Sequence, residues 1–287
     1  MCAPSPRLQR ARPARASSAV CFRPVSAGDH RRSADSFSAR LTRRDDSLYG
    51  AIASESTAWD RRALLACQAA VRARQWPYVY LEIGSHLGGS LQPHILDPAC
   101  AIAHSIDPRP RVQPDARGAR FAYPGNSTER MRENLARLGD VGRLRCYERT
   151  SSEIDPGSIL PKPHLCFIDG EHTDEAVRAD FSLCRQVVVS PGLVLFHDAQ
   201  VVYNGLSQIV DDLDRAGVPF RAATLPDAIF ALELGETGLL DGAELAPLRR
   251  ESFRGYLSSM RSTDANRQAA NRWPFRAYRR LRSVFRT

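Results

Sequence analysis

YLEIGSHLGGS, residues 80–90, passes from an apolar run into a turn that holds three glycines and two serines. Glycine lets a backbone come close to a ligand, and a helix that follows such a turn presents free N–H groups at its first residues. A tight strand-to-helix turn without any ligand has the same appearance. The turn therefore predicts a strand followed by a helix, and what it binds depends on the segments that come after it.

Short apolar runs continue beyond this turn and alternate with helical patterns. The predicted strands and helices lie, in chain order, at residues 54–76 (helix), 79–83, 89–96 (helix), 101–106, 128–138 (helix), 144–147, 164–168, 173–188 (helix) and 193–196. Strands that are apolar on both faces and separated by helices are typical of a parallel sheet covered on both sides. The pattern predicts a doubly wound fold.

A different pattern ends the fold. After a helix at 205–216, two more strand-like runs, 219–223 and 228–234, are separated by the short link TLPD. That link is too short for a parallel crossover, so these strands should be antiparallel. The sequence thus predicts an α/β, Rossmann-like, doubly wound seven-stranded sheet, with five parallel strands followed by a terminal antiparallel hairpin.

The charge is unevenly distributed along the chain. Residues 1–44 hold ten Arg against two acids, and residues 267–287 hold seven Arg and no acid, whereas the net charge is only +8. The middle of the chain is therefore acidic. For this reason we do not expect the folded part to present a face that binds nucleic acid. We expect a disordered Arg-, Pro- and Ser-rich segment at 1–45, a folded domain with an N-terminal helix at 46–240 and a basic helical extension at 241–287.

Location is predicted from composition. There is no run of roughly 18 apolar residues and no apolar signal-peptide region, although the Arg-rich start also resembles an organellar transit peptide. The seven cysteines are scattered without a CxxC pair, which is typical of buried thiols in a reducing compartment. We expect a cytoplasmic protein.

An acid follows the second predicted strand. Asp107 lies 23 residues after Gly84, where a carboxylate can accept hydrogen bonds from both hydroxyls of a ribose. A dinucleotide site needs G-x-G-x-x-G, but His86 stands two positions after Gly84, where its side chain would meet a pyrophosphate. The sequence favours a nucleoside and disfavours NAD.

The spacing E-I-G-S-H-L-G-G instead resembles the first motif of class I S-adenosylmethionine-dependent methyltransferases, E/D-x-G-x-x-x-G. CFIDGEHTDEAVRADF (166–181) and PGLVLFHDA (191–199) resemble the fourth- and fifth-strand segments of a subgroup that includes macrolide-sugar O-methyltransferases and cephalosporin-hydroxylase-like proteins. The resemblance covers roughly residues 76–235. It also implies a seven-stranded sheet with a reversed strand near its end.

The resemblance implies a role for each matching position. The methionine part of S-adenosylmethionine would contact Glu82, Gly84, Ser85 and Gly88, and Asp107 would hold the ribose. Thr150 and Ser151, after the third strand, would lie near the adenine. Asp169 would contribute to the cofactor site as well.

Four polar residues, Asp169, His172, His197 and Asp198, follow the fourth and fifth strands. Carboxylates with imidazoles nearby can hold a divalent cation, and oxygen ligands suit Mg²⁺ or Mn²⁺ better than Zn²⁺. Relatives in the macrolide-sugar branch carry a pair of acids after the fifth strand, whereas this chain has His197-Asp198, so both a metal site at Asp169 and Asp198 and a metal-free site remain open. Without a metal, His172 or His197 could act as general base, or simply orient a loop.

The sequence predicts a methyltransferase that modifies an oxygen, less readily a nitrogen, of a small molecule or sugar. The alternatives are an NAD-linked oxidoreductase and a non-catalytic protein of the same fold. The C-terminal segment 271–287 has aromatic residues at helical spacing and Arg opposite; it could pack on the domain or a partner subunit, or contact an anionic membrane surface. A homo-oligomer is a further possibility.

Overall fold

The computed structural model describes residues 37–109, 112–115, 120–235, 238–250 and 252–271. Its helices are α1 (37–42), α2 (Ala58–Arg74), α3 (Gln92–Leu96), α4 (Thr128–Ala136), α5 (Asp174–Val187), α6 (Tyr203–Arg215) and α7 (Phe253–Asn271). Its strands are β1 (Tyr78–Ile83), β2 (Cys100–Ile106), β3 (Val112–Pro114), β4 (Arg120–Ala122), β5 (Leu144–Tyr147), β6 (Leu165–Ile168), β7 (Gly192–Phe196), β8 (Phe220–Thr224) and β9 (Phe230–Leu234).

The main sheet confirms the predicted fold class. Seven strands run in the order β5-β2-β1-β6-β7-β9-β8. Only β9 is reversed, because it pairs antiparallel with both β7 and β8 while the other pairs are parallel. The chain moves outward from β1 to one edge and returns to β6 at the centre, so the strand order reverses between β1 and β6. In open α/β sheets, ligands bind in the crevice at this point.

Two apolar layers cover the sheet. Alternate strand residues point to opposite faces, so that Phe167 belongs to an apolar cluster with residues of α1 to α4, and Ile168 belongs to a second cluster with residues of α5 to α7. At about 25 cal/mol per Å² of apolar surface, this two-sided burial is the main stabilising contribution to the fold. It also holds the carboxyl ends of the central strands at fixed positions.

The N-terminal prediction is wrong for residues 37–45. Residues 37–42 are helical, and Phe37 and Leu41 are buried in the core at 5% and 2% exposure. These two apolar residues, four apart on one helix face, supply the burial that the Arg-rich composition obscures. The preceding residues 1–36 lie outside the described part of the chain.

The predicted boundary at residue 240 does not separate two parts of the structure. Leu245 is fully buried in the core, and Leu257 of α7 is buried at 5% exposure. Tyr203 Oη donates to Asp264 Oδ2 at 2.8 Å, which ties α6 to α7. The aromatic stripe predicted at the C-terminus lies within residues 272–287, outside the described residues. Among the helices that are described, none has the length and apolarity needed to cross a membrane.

A small hairpin between β2 and α4 was not predicted. Strands β3 and β4 pair antiparallel and form a sheet of their own. They are only three residues long, too short for a period-two pattern to be distinctive. Through an isolated bridge between Asp115 and His172, this hairpin reaches the carboxyl end of the main sheet.

Candidate active site

The residues that follow β1, β2, β6 and β7 stand in one row. The parallel ladders continue one step past the strands: Gly84 N donates to Ile106 O at 2.8 Å, Asp169 N to Ile83 O at 2.9 Å, and His197 N to Ile168 O at 2.9 Å. Asp107 N likewise donates to Tyr147 O at 3.0 Å. The register of the sheet thus brings the polar residues predicted from four separate segments to a common edge.

Gly84 requires glycine for a backbone reason. Its φ is +91°, and a Cβ there would lie 2.0 Å from the carbonyl oxygen of Asp169. The absence of a side chain lets β1 and β6 meet closely where the strand order reverses. Gly88 also has a positive φ of 90°, but a Cβ on it would contact Leu135 and Met131 of α4, so this glycine serves helix packing.

A cavity of about 300 Å³ lies over the row of strand ends. Of the residues predicted for the cofactor, Gly84, Ser85, Asp107 and Asp169 line it. Glu82 does not: it is fully buried behind the wall, where the hydroxyls of Tyr80 and Ser90 donate to its carboxylate. Burial raises the pKa of Glu82 to about 8, against the effect of these two donors. Ser90 itself lines the cavity, so its hydroxyl group connects the buried Glu82 carboxylate to the cavity wall.

Asp107 is held in place by its neighbours. It is 3% exposed; its Oδ2 accepts the His86 N–H at 2.8 Å, and its Oδ1 accepts the Arg109 N–H at 3.2 Å. The Arg109 guanidinium, 3.9 Å from Oδ2, also donates to the His86 carbonyl and to Asn126 Oδ1. Each carboxylate oxygen keeps one further lone pair for a ligand.

Ser85 has a buried hydroxyl group that is available to a ligand. The residue is 1% exposed, lines the cavity, and its Oγ has no hydrogen-bond partner among the described residues. An unpaired buried hydroxyl costs about 1–3 kcal/mol unless something fills the site. A polar group bound beside Gly84 would satisfy it.

A second cavity of about 250 Å³ adjoins the first, and Gly84 and Gly170 line both. Pro108, directly after Asp107, forms part of its wall, together with Thr150 and Ser151. The predicted adenine residues therefore lie in a cavity next to the predicted ribose residue. Their contact with a cofactor stays a prediction.

The four residues predicted to carry out the chemistry come together in the first cavity. His197 Nδ1 is 2.9 Å from Asp169 Oδ1 and 3.5 Å from Asp198 Oδ2. His172 Nε2 is 3.3 Å from Asp198 Oδ2 and 3.7 Å from Asp169 Oδ1. Asp198 adopts a left-handed backbone conformation, with φ of 48°. Its other oxygen, Oδ1, accepts a hydrogen bond from Gln200 at 2.8 Å.

Charge pairing dominates the titration of this cluster. Burial alone would lower the pKa of His197, but the surrounding carboxylates, Asp169 first, raise it far above its usual range. Burial alone would raise the pKa of Asp169. The positive charge of His197 outweighs this effect and lowers the pKa to about 2. The pKa of His172 is raised as well, since its carboxylate partners outweigh burial. At neutral pH His197 is therefore an imidazolium and carries a proton that it does not readily give up.

Asp60, the third carboxylate at His197, was not predicted from the sequence. Asp60 is 1% exposed on the first turn of α2, and its Oδ2 lies 3.4 Å from His197 Nε2. It also closes a capping box with Thr57 and accepts the Ala228 N–H at 3.1 Å. The spacing of Thr57 and Asp60 is a recognisable helix-start signal, but nothing in it shows that the helix begins at the site.

The hairpin and the segment after it supply two more residues that sequence analysis missed. Asp115 Oδ2 lies 3.7 Å from His172 Nδ1, on the side of the ring away from Asp198. Tyr123 lines the first cavity with its ring 4.9 Å from that of His86. No motif could have found them, because the hairpin that brings them here was itself not predicted.

A divalent cation would fit beside these residues. One ligand atom each from Asp169, His172 and Asp198 all lie within 4.8 Å of one another. Two carboxylates and an imidazole suit Mn²⁺ at least as well as Mg²⁺, which prefers oxygen ligands. His172 thus joins the two residues that were predicted as ligands.

Comparison with known proteins gives one family. Residues 81–199 match the family model described as a methyltransferase domain, which confirms the resemblance seen in the motifs. No curated protein matches the chain.

Three solved structures illustrate the similarity. The O-methyltransferase NovP is 15% identical, with 61% of this chain and 80% of that chain covered and a TM-score of 0.49. CalS11, a calicheamicin methyltransferase, is 16% identical, with 78% of this chain and 99% of that chain covered and a TM-score of 0.45. The O-methyltransferase TomG from Streptomyces achromogenes is 17% identical, with 70% of this chain and 89% of that chain covered and a TM-score of 0.42.

Proposed function

We propose an O-methyltransferase function, on the premise that residues 81–199 form a methyltransferase domain on a Rossmann-like sheet. The enzyme would move a methyl group from S-adenosylmethionine to an oxygen of a small molecule or sugar. The observation that carries the proposal is Asp107, a buried carboxylate in the first cavity, whose neighbour Pro108 lines the second. A nucleoside held by its ribose at Asp107 would reach into both cavities.

The residues present fit this cofactor. The unpaired Ser85 hydroxyl would hydrogen-bond the amino-acid end, and the side-chain-free backbone at Gly84 lets that end pass close to the sheet. The second cavity would take the adenine beside Ser151. S-adenosylmethionine supplies an electrophilic methyl group on a positively charged sulfur, and the protein contributes chiefly by holding an acceptor oxygen in line with it.

The carboxylate cluster would prepare the acceptor. Asp169, His172 and Asp198 would hold a divalent cation, which lowers the pKa of a hydroxyl that it coordinates. The His197 imidazolium would keep Asp169 in position for this task. In the absence of a metal, His172 is the better general base of the two histidines, because its three carboxylate neighbours lie at 3.3–3.7 Å, whereas those of His197 lie at 2.9–3.5 Å and hold its proton more strongly.

Calorimetry tests the cofactor. Micromolar binding of S-adenosylhomocysteine without binding of NAD supports the proposal; NAD binding would favour an oxidoreductase. Labelled methyl transfer to a cell extract then separates an enzyme from a non-catalytic protein of this fold, and the carbon NMR chemical shift of the transferred, isotopically labelled methyl group identifies the acceptor atom as oxygen or nitrogen.

Metal binding has its own test. Mn²⁺ binding, followed by water proton relaxation, should weaken at least 10-fold in Asp198→Asn, since one anionic ligand is lost. Asp211→Asn, an exposed change on α6 away from both cavities, serves as the control. Equal Mn²⁺ affinity in Asp198→Asn and the control would remove the metal from the proposal and leave His172 as base.

The setting of the enzyme is also part of the proposal. We place it in the cytoplasm, where it would act on a diffusible acceptor. The buried thiols of Cys67, Cys166 and Cys184 are free, which favours a reducing compartment. Size-exclusion chromatography with light scattering would test whether it is a homo-oligomer.

A further inference from the structure

The first cavity is lined by an excess of carboxylates. Its described lining residues include no Lys or Arg, but they include six acids: Glu55, Asp60, Asp107, Asp169, Asp198 and Asp227. A cleft lined by one sign of charge concentrates solutes of the opposite sign. The charge of this cavity therefore bears on which acceptor enters it.

Four of the six acids have a cation beside them. The Arg109 guanidinium lies 3.9 Å from Asp107 Oδ2, and the His197 ring nitrogens lie 2.9–3.5 Å from the three aspartates around them. Glu55 and Asp227 differ, because neither forms an ion pair within the part of the chain that the structure describes. Both are exposed, so these two mouth carboxylates stand at the opening of the cavity.

Each mouth carboxylate is oriented by one hydroxyl and keeps one oxygen free. Thr57 Oγ1 donates to Asp227 Oδ2 at 2.5 Å, and Tyr123 Oη donates to Glu55 Oε2 at 3.5 Å. The other oxygen of each accepts no hydrogen bond from a described residue. The Tyr123 ring also lines the cavity, and the face of an aromatic ring attracts cations. Two carboxylates near a tyrosine ring suit an ammonium group.

Neither the methyl donor nor a metal ion would neutralise the mouth. The donor would be held at Asp107 and at Ser85, whose buried, unpaired hydroxyl is available to a ligand in the same cavity. A divalent cation would be held at Asp169 and Asp198. Both places are at the strand ends, so the charge of the mouth carboxylates is left for the acceptor.

We propose that the methyl acceptor is a hydroxyl compound that also carries a protonated amine, such as an amino sugar, and that Glu55 and Asp227 select it. This inference rests on the function proposed above. The ammonium group would pair with the mouth carboxylates while a hydroxyl of the same molecule reaches Asp169 and Asp198. A protonated amine has no lone pair with which to attack a methyl group, so the hydroxyl is the group that is methylated. Acceptors that carry a phosphate or a carboxylate would be repelled.

The charge of the product tests the proposal directly. The full-length protein is incubated with methyl-labelled S-adenosylmethionine and a cell extract, unreacted donor is removed on charcoal, and the labelled product is applied to ion exchangers at pH 7. The product should be retained by the cation exchanger. Acetylation with acetic anhydride turns an amine into a neutral amide and should abolish this retention.

Variants test the two residues. In Glu55→Gln with Asp227→Asn, kcat/KM for the purified acceptor should fall about 10-fold or more, and the steep loss of kcat/KM with added salt should disappear. The affinity for S-adenosylhomocysteine should stay within about 2-fold, because the donor is held elsewhere. Asn tolerates the left-handed backbone at position 227, where φ is 62°. Asp211→Asn, an exposed change on α6, is the control and should leave kcat/KM unchanged.

The outcomes separate the inference from the function on which it rests. A labelled product that is retained by the anion exchanger or by neither exchanger would overturn the inference, as would equal kcat/KM in the folded double variant and the control. Circular dichroism checks folding, and if the double variant does not fold, the charge of the product decides. Absence of any labelled product, or of S-adenosylhomocysteine binding, would instead overturn the proposed function.

Discussion

Removal of the Asp107 carboxylate should abolish cofactor binding before it abolishes folding. Each of its oxygens already accepts one backbone N–H, from His86 and Arg109, and has a lone pair left for one ribose hydroxyl. Hydrogen bonds to a charged group contribute about 1.5–3 kcal/mol each, so two of them give about 3–6 kcal/mol, or roughly a 10²- to 10⁴-fold loss of affinity in Asp107→Ala. The two N–H groups left unpaired should lower the free energy of unfolding by about 1–3 kcal/mol each.

The assay is calorimetric titration with S-adenosylhomocysteine, with thermal unfolding measured on the same samples. Asp155→Ala is the matched control, since Asp155 Oδ1 accepts the N–H two residues on, as Asp107 Oδ1 does, but in an exposed turn. The control should bind normally. If folded Asp107→Ala bound S-adenosylhomocysteine with an affinity within about 3-fold of that of the unmodified protein, the assignment of the ribose to Asp107 would be refuted.

Two further predictions follow from the geometry of the strand ends and from the charge of His197. Gly84→Ala should lose cofactor affinity and unfold at lower temperature, because its Cβ would overlap the carbonyl oxygen of Asp169; Gly235→Ala, also at positive φ but facing a movable serine hydroxyl, should keep its affinity. His197→Gln should lower the free energy of unfolding at pH 7.5 by about 3 kcal/mol, because the carboxylates around it lose their cation. The pKa of His197 is raised in the folded protein, so its contribution to stability is complete below the ordinary histidine pKa and falls as pH rises above it. The loss should therefore be larger at about pH 6 than at about pH 8; chemical denaturation at both pH values gives the difference, and an equal loss at each would show that charge is not the cause.

The order of the elements and the location of the chemistry could be predicted from the sequence. Alternating apolar runs and helices determine a parallel sheet, and in such a sheet the residues after each strand must meet at one edge. Gly84, Asp107, Asp169 and His197 were predicted for this reason, and hydrogen bonds that extend the ladder hold them in a row. The short link between β8 and β9 determined the reversed strand in the same local way.

Contacts between distant segments were decided only by the tertiary structure. Asp60 and His197 are 137 residues apart, and Ser151 meets Asp180 because α5 turns its buried face toward the loop after β5. Such pairs depend on how helices pack, which local periodicity does not encode.

The protonation of the site depends on the tertiary structure as well. From its sequence neighbours, His197 is as good a candidate base as His172. Asp60 and Asp169, brought to its ring from α2 and from the end of β6, together with the adjacent Asp198, make it a cation instead. The sequence determined which polar groups stand at the edge of the sheet; the charge that each one carries follows from which others the fold places against it, because electrostatic interaction depends on distance in space and not along the chain.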